Sequence, residues 1–93
     1  MKVGFYFLEI MLFDAESLKD KRRVMKSITE RVRRRYNVSI SEVGEQDNKK
    51  KAEIGIAAVS GDHLSVDRLL QKVFNFIEED GRVEVVDYSY QTV

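Results

Sequence analysis

The chain has 93 residues, the length of one domain around one hydrophobic core, and we expect residues 1–93 to form that single domain. It contains no cysteine and one histidine, which excludes disulfides, thiolate metal sites, iron–sulfur clusters and cysteine nucleophiles. Its 16 basic and 16 acidic residues give a net charge of zero, but the two signs are distributed unevenly along the chain.

The N-terminal segment from Lys2 to Phe13 is rich in aromatic and β-branched residues and predicts a central strand, apolar on both faces. One face carries Gly4, Tyr6, Leu8, Ile10 and Leu12, and the other carries Val3, Phe5, Phe7, Glu9, Met11 and Phe13. A signal peptide is disfavoured because Glu9 interrupts the apolar run and no small-x-small cleavage site follows it. The run is also too short to span a bilayer. We therefore expect a cytoplasmic protein that makes no membrane contact.

The stretch from Ser17 to Asn37 predicts one long helix. Ser17 and Asp20 have the spacing of a capping box, and Asn37 suits the left-handed conformation that ends many helices. The apolar stripe that this helix would bury consists of Leu18, Met25, Ile28, Val32 and Tyr36. Lys21 and Arg35 fall close to that stripe, and we expect each to lay its stem along apolar surface and direct its charge outward.

This helix contains nine basic and two acidic residues, so it carries +7 while the rest of the neutral chain carries −7. The basic residues opposite the apolar stripe are Lys19, Arg22, Arg23, Lys26, Arg33 and Arg34. A cationic face of this kind predicts contact with RNA or a ribosomal particle. Two other interpretations stay open, namely a solvated face whose charges pair with acids elsewhere in the chain, and a surface for an acidic protein partner.

The remaining elements follow in alternation. Three further strands are predicted at Val38–Val43, Ala52–Val59 and Arg82–Gln91. Asp62 is the expected N-cap of a second helix and Gly81 its left-handed C′ residue, and the break in alternation at Val85-Val86 predicts a bulge. The order βαββαβ indicates the ferredoxin-like α+β arrangement, in which a four-stranded antiparallel sheet of order 4-1-3-2 has two helices on one face.

The sheet face without helices is a candidate contact surface. If the even-numbered face of the first strand packs under the helices, Phe5, Phe7 and Met11 point away from them. RNA-recognition-type base stacking would need aromatic residues on the third strand as well, which offers small ones such as Gly55 and Ala57. We therefore expect this face to form a homodimer interface.

The chain resembles the YlxP-like family of small bacterial domains. The motifs that carry the resemblance are Ser17–Arg22, Arg35–Ser39, Glu42–Val43 with Gln46–Asp47, Ala57–Ser60 and Arg82–Val85. The resemblance implies a ferredoxin-like fold and the bacterial cytosol. Because genes of family members often neighbour translation-initiation and ribosome-maturation genes, it also hints at RNA or ribosome contact. Family members often have an aromatic residue and an arginine after the Gln-Asp pair, whereas this chain has Asn48–Lys51. The lysines could extend a basic surface, but lysines at a hairpin also prevent edge-to-edge aggregation of sheets.

Catalytic and metal-binding interpretations are weaker. Acylphosphatases share this element order but need a phosphate-cradling loop after the first strand, and the loop Asp14–Glu16 would repel phosphate. Glu42, Glu45 and Asp47 offer oxygen ligands for a hard cation, but acids at a hairpin also serve solubility. His63 is most simply a surface residue. We therefore expect no catalytic residues, no metal and no cofactor.

The sequence thus predicts a non-catalytic, homodimeric domain that binds RNA or a ribosomal particle through its basic helix. The alternative class is a structural or protein-interaction module with no nucleic-acid partner. In that case the open sheet face is the only working surface, and the basic helix binds nothing.

Overall fold

A computed structural model describes all 93 residues. The helices and strands are β1 Lys2–Leu12, α1 Leu18–Arg35, β2 Ser39–Gly44, β3 Lys51–Ser60, α2 His63–Glu78 and β4 Val83–Thr92. The four strands form one antiparallel sheet in the order β2-β3-β1-β4, which is the predicted order read from the other edge. The predicted α+β, ferredoxin-like arrangement is therefore confirmed.

The core lies between the helices and one face of the sheet, where 19 apolar side chains form a single cluster. On β1 the even-numbered residues from Tyr6 to Leu12 are buried and the odd-numbered ones are half-buried or exposed, as the alternation predicted. At Gly4 helix α2 comes so close to β1 that a Cβ atom would lie 2.5 Å from Cγ1 of Val66. Neither helix combines the length and the apolar composition needed to cross a membrane.

The capping box at the start of α1 has one of its two hydrogen bonds shifted by one residue. Oγ of Ser17 accepts a hydrogen bond from the Asp20 N–H at 3.1 Å, as predicted. The Asp20 carboxylate reaches back to the N–H of Glu16 at 3.1 Å, rather than to that of Ser17. Both bonds satisfy backbone donors near the first turn, where no helical carbonyl is in reach.

The prediction that Asn37 and Gly81 adopt the left-handed conformation after the two helices is wrong, because Glu45 is the only residue with a positive φ. Helix α1 ends instead with its C-cap residue Tyr36 in an extended conformation, so no left-handed residue is needed at Asn37. Helix α2 ends at Glu78 with Glu79 as its C-cap, and Oδ1 of Asp80 then accepts the N–H of Arg82 at 3.0 Å. This bond closes the turn without requiring a left-handed Gly81.

The predicted bulge in β4 is confirmed. Glu9 is paired with Asp87 and the next residue of β1 with Val85, so Val86 is left without a partner. Beyond the bulge, the Tyr90 hydroxyl donates a hydrogen bond to Asp67 and ties β4 to α2. Burial and this bond raise the pKa of Tyr90 above its ordinary value.

Lys21 does not direct its charge outward, contrary to prediction. Its side chain is 1% exposed, and its ammonium group lies 2.9 Å from Oε2 of Glu42. It also donates to the backbone carbonyls of Glu45, at 2.5 Å, and Asn48, at 2.7 Å. The apolar stripe of α1 faces the β2–β3 hairpin at this position, and three oxygens there replace the water that the ammonium group loses. Lys21 therefore holds the hairpin against α1.

We predict that Lys21→Met lowers the free energy of unfolding by about 3 kcal/mol, because it leaves Glu42 and two partly buried carbonyls without their donor. Urea unfolding followed by circular dichroism measures the loss. The matched control is Lys19→Met, which removes an exposed ammonium from the same helix and should change stability by less than about 0.5 kcal/mol. Equal losses in the two variants would contradict an anchoring role for Lys21.

Candidate nucleic-acid interface and the open sheet face

The six basic residues predicted to bind nucleic acid are all exposed on α1. Two of them have partners within the chain: Nη2 of Arg33 donates to the carbonyl of Ile40 at 2.8 Å, and Arg34 lies 3.9 Å from Glu30. The other four have no acid within 4.0 Å and donate no side-chain hydrogen bond, and we call them the cationic face. These four are Lys19, Arg22, Arg23 and Lys26.

Arg33 has a structural role that its position on the helical wheel did not indicate. Strand β2 pairs with β3 on one side only, so the carbonyls on its other side are unpaired. The guanidinium of Arg33 donates a hydrogen bond to one of these carbonyls, that of Ile40. A bonded guanidinium protects an exposed strand edge, so Arg33 contributes less to a free cationic surface than predicted.

On the flank of α1 that faces α2, two arginines contact one aromatic ring. The Cζ atoms of Arg31 and Arg35 each lie 5.1 Å from the ring centroid of Phe76, and Arg35 also lies 5.7 Å from the ring of Tyr36. Attraction between a guanidinium and a ring face holds each side chain in place and leaves its N–H donors available. Sequence reasoning did not assign a site here, although the i,i+4 spacing of the two arginines places them on one side of the helix.

Asp80 and Arg82 form a clamp beside these arginines. Oδ1 and Oδ2 of Asp80 accept from Nε and Nη2 of Arg82 at 2.9 and 2.7 Å, and Nη2 also donates to Oγ of Ser27 at 3.1 Å. The Arg82 guanidinium lowers the pKa of Asp80, and Asp80 raises the pKa of Arg82. Nη1 of Arg31 lies farther away, 3.7 Å from Oδ2 of Asp80. The pair joins the end of α2 to α1.

These side chains surround an open cleft of about 500 Å³ between α1 and the α2–β4 turn, which we call the arginine cleft. Its lining residues are Ser27, Arg31, Arg35, Phe76, Glu79, Asp80 and Arg82. Glu78, Glu79 and Asp80 at the end of α2 oppose the helix dipole, so local helix stability does not explain them. The role of Asp80 is the clamp on Arg82.

The open sheet face carries the three residues predicted to form a dimer interface. Phe5, Phe7 and Met11 point away from the helices and are 36–39% exposed. Across the strand pair, Phe5 is opposite Ala57 and Phe7 is opposite Gly55, so the rings stand above small neighbours. A shallow groove of about 340 Å³ runs beside them toward β2. The predicted position of these side chains is confirmed, and their contact with a second subunit stays a prediction.

An acidic row crosses the same face. Glu53, Glu9 and Asp87 occupy opposite positions on β3, β1 and β4, and the nearest cation is Lys51, 3.9 Å from Glu9. Three neighbouring carboxylates repel the phosphates of a nucleic acid. Glu42, considered as a cation ligand from the sequence, pairs with Lys21 instead.

The fold and its surface define a small α+β domain in which a cationic helical layer covers one face of the sheet and leaves an apolar and acidic face open. The chain belongs to the family described as "Protein of unknown function (DUF503)", whose model matches residues 3–90. It is 44% identical over 82 residues to the uncharacterized protein YlxP of Bacillus subtilis (strain 168), covering 88% of this chain and 89% of that protein. The resemblance inferred from the sequence motifs is therefore confirmed.

Among solved structures, the de novo designed protein Foldit4 superimposes with a TM-score of 0.54. The match covers 100% of this chain and 97% of the designed one, at 20% sequence identity. At that identity the likeness shows the fold alone.

We predict that Asp80→Asn destabilises the protein by about 1–3 kcal/mol at pH 7, because it removes the charge from the clamp on Arg82. A carboxylate whose pKa is lowered by folding stabilises above its unfolded pKa, near 3.8, and loses that effect as the pH falls through the folded value. Urea unfolding should therefore show a difference between wild type and variant that shrinks between pH 5 and acid conditions near pH 2, as an order-of-magnitude window. The control Asp47→Asn alters an exposed carboxylate, and a pH-independent effect of Asp80→Asn would contradict the assignment.

Proposed function

We propose that this protein binds RNA or a ribosomal particle through the cationic face of α1, without catalysis. The observation that carries the proposal is that Lys19, Arg22, Arg23 and Lys26 have no acidic partner although the chain contains 16 acids. On a helix with 3.6 residues per turn they lie within about 100° of one another and span about 10 Å. They form one patch on one side of the molecule.

Stability does not account for such a patch. Exposed ion pairs contribute only about 0–1 kcal/mol each, and these four residues form none. Neighbouring like charges repel, and binding to a polyanion removes that repulsion and releases condensed counterions. The charge separation supports the helical layer as the binding side, since the acidic row on the open sheet face disfavours nucleic acid there. Contacts from one helix to phosphates position a chain but do not read its bases.

We predict that replacing Arg22, Arg23 and Lys26 by Gln weakens binding to a fluorescein-labelled single-stranded RNA and abolishes co-sedimentation with ribosomal subunits. The logarithm of the association constant, plotted against the logarithm of the salt concentration, should have a slope of about −3 for the wild type with four phosphate contacts. With one contact left, the slope should be about −1. Fluorescence anisotropy from 50 to 200 mM salt measures both slopes.

The matched control replaces Lys49, Lys50 and Arg68 by Gln, which removes three exposed cations outside α1. It should retain wild-type affinity and slope. An equal loss in the control would assign the effect to net charge and contradict the cationic face as the site. Wild-type protein that binds neither RNA nor ribosomal subunits would contradict the proposed function itself.

A second proposal concerns the open sheet face, which we infer is covered by a second copy of this chain. Phe5 and Phe7 are neighbours on this face of β1, and Met11 lies beyond Glu9 of the acidic row. Each of the three offers more than a third of its surface to solvent, and small residues lie opposite the two rings. Sheets that pack face to face interdigitate large side chains with small ones about 10 Å apart. If this face is the only working surface, the protein is a structural or protein-interaction module.

We predict that Phe7→Glu converts a dimer into a folded monomer, because it places an unpaired charge in an apolar subunit contact. Sedimentation velocity gives the oligomeric state, and circular dichroism confirms the fold. Leu64→Glu is the matched control, since it makes the same kind of change at an exposed apolar residue of α2 and should leave the dimer intact. A wild-type protein that sediments as a monomer would end this second proposal.

A further inference from the structure

We propose that the arginine cleft binds a phosphate group through Arg31 and Arg35. The inference extends the proposed function where the phosphate belongs to RNA, and it rests on that function only in that case. The cleft adjoins the cationic face at one residue: on the helical wheel Arg31 is about 80° from Arg23 and about 12 Å farther along α1. A phosphorylated chain lying on the cationic face can therefore place one of its phosphates at the cleft.

The two arginines both contact the ring of Phe76 and have N–H donors to spare. Arg35 has no acidic partner within 4.0 Å, and the only acid near Arg31 is Asp80 at 3.7 Å, beyond the range of a hydrogen bond. Both guanidinium groups are held against the ring of Phe76 at 5.1 Å, a contact that consumes none of their donors. A planar guanidinium with free donors matches the oxygens of phosphate in a bidentate manner.

The acids of the cleft do not cancel this charge. Both oxygens of Asp80 are occupied by the side chain of Arg82, so that pair is neutral as a unit. Glu79 offsets one of the two remaining cations and leaves a net positive charge on the cleft. Ser27 adds a neutral donor, because its Oγ accepts from Arg82 and forms no other hydrogen bond, which leaves its own proton free.

The size of the cleft indicates what kind of phosphate it takes. A volume of about 500 Å³ lies within the range of small-ligand sites, roughly 300–1,000 Å³, and exceeds what a bare phosphate needs. A phosphate monoester fits this space with its organic group attached. A guanidinium surface such as that of Arg35 also suits an unpaired base. The 5′-phosphate of a single-stranded RNA satisfies both features.

Inorganic phosphate tests the site without RNA. We expect it to shift the Nε–Hε signals of Arg31 and Arg35 saturably in ¹H–¹⁵N spectra at pH 7, with ionic strength held constant by sodium chloride. Replacing both arginines by Gln should weaken this binding about tenfold or more, whereas Arg22→Gln with Arg23→Gln removes the same charge from the same helix and should leave it unchanged. Arg35→Gln alone, which breaks no ion pair, should also weaken binding, and this variant serves if the double variant unfolds.

Several outcomes would overturn the assignment. These are the absence of a saturable shift, an equal shift with acetate, which would indicate a general carboxylate site, or an equal loss in the Arg22 and Arg23 control. The source of the phosphate is distinguished by comparing one RNA with a 5′-phosphate and the same RNA with a 5′-hydroxyl. Tighter binding of the phosphorylated form, lost with Arg31 and Arg35, assigns the cleft to an RNA end. Equal binding of the two, with RNA affinity unchanged when Arg31 and Arg35 are replaced, assigns it to a free phosphorylated molecule.

The two proposals fail separately. The variant that lacks Arg22, Arg23 and Lys26 should lose RNA but keep the phosphate-dependent shifts of Arg31 and Arg35. If wild-type protein binds inorganic phosphate and no RNA, the phosphate site in the cleft is supported and the proposed function is contradicted. If it binds RNA and no phosphate, the cationic face stands and the cleft is overturned.

Discussion

Two helices packed on the same face of a four-stranded sheet constrain everything else in this molecule. Side chains alternate along a strand, so burying Leu8 and Ile10 beneath the helices forces Phe5, Phe7 and Met11 to the other side of β1. A shift of one residue would exchange these two sets, and the core would then contain Glu9. The open face is therefore a direct consequence of how the core is made. Its apolar residues are left where no element of the chain covers them.

The same layering separates charge. Helix α1 contributes the cationic face and two of the three arginines of the arginine cleft, while the open sheet face carries Glu9, Glu53 and Asp87 in one row. Because about one sheet thickness and the core lie between the two surfaces, a polyanion on the helices and a second copy on the sheet would not compete for space. The two proposed surfaces are thus compatible in one assembly. The chain has no net charge, but the fold places an excess of positive charge on the helical side and a row of carboxylates on the open sheet face.

The basic residues of α1 differ in role because their surroundings differ, although they are close in sequence. Lys21 is enclosed by three oxygens and holds the β2–β3 hairpin, and Arg33 is bonded to the edge of β2. Arg31 and Arg35 are held on Phe76 at the border with α2. Only the cationic face remains without partners. Removing the engaged residues from the surface makes the proposed binding patch smaller and better defined than a total charge of +7 suggests.

Local patterns in the sequence were sufficient to predict the elements, the order of the strands, the capping residues Ser17 and Asp62, the bulge at Val86 and the exposure of Phe5, Phe7 and Met11. The elements, the caps, the bulge and the exposure of these side chains follow from periodicity or from contacts a few residues apart. The strand order followed from the ferredoxin-like arrangement that the element order βαββαβ indicates. The buried charge of Lys21, the edge contact of Arg33 and the arginine cleft depend on residues 7 to 55 positions away in the chain. A helical wheel gives the direction of a side chain but not what lies there. Only the tertiary structure decided those sites, because packing brings distant oxygens and rings within reach of particular cations.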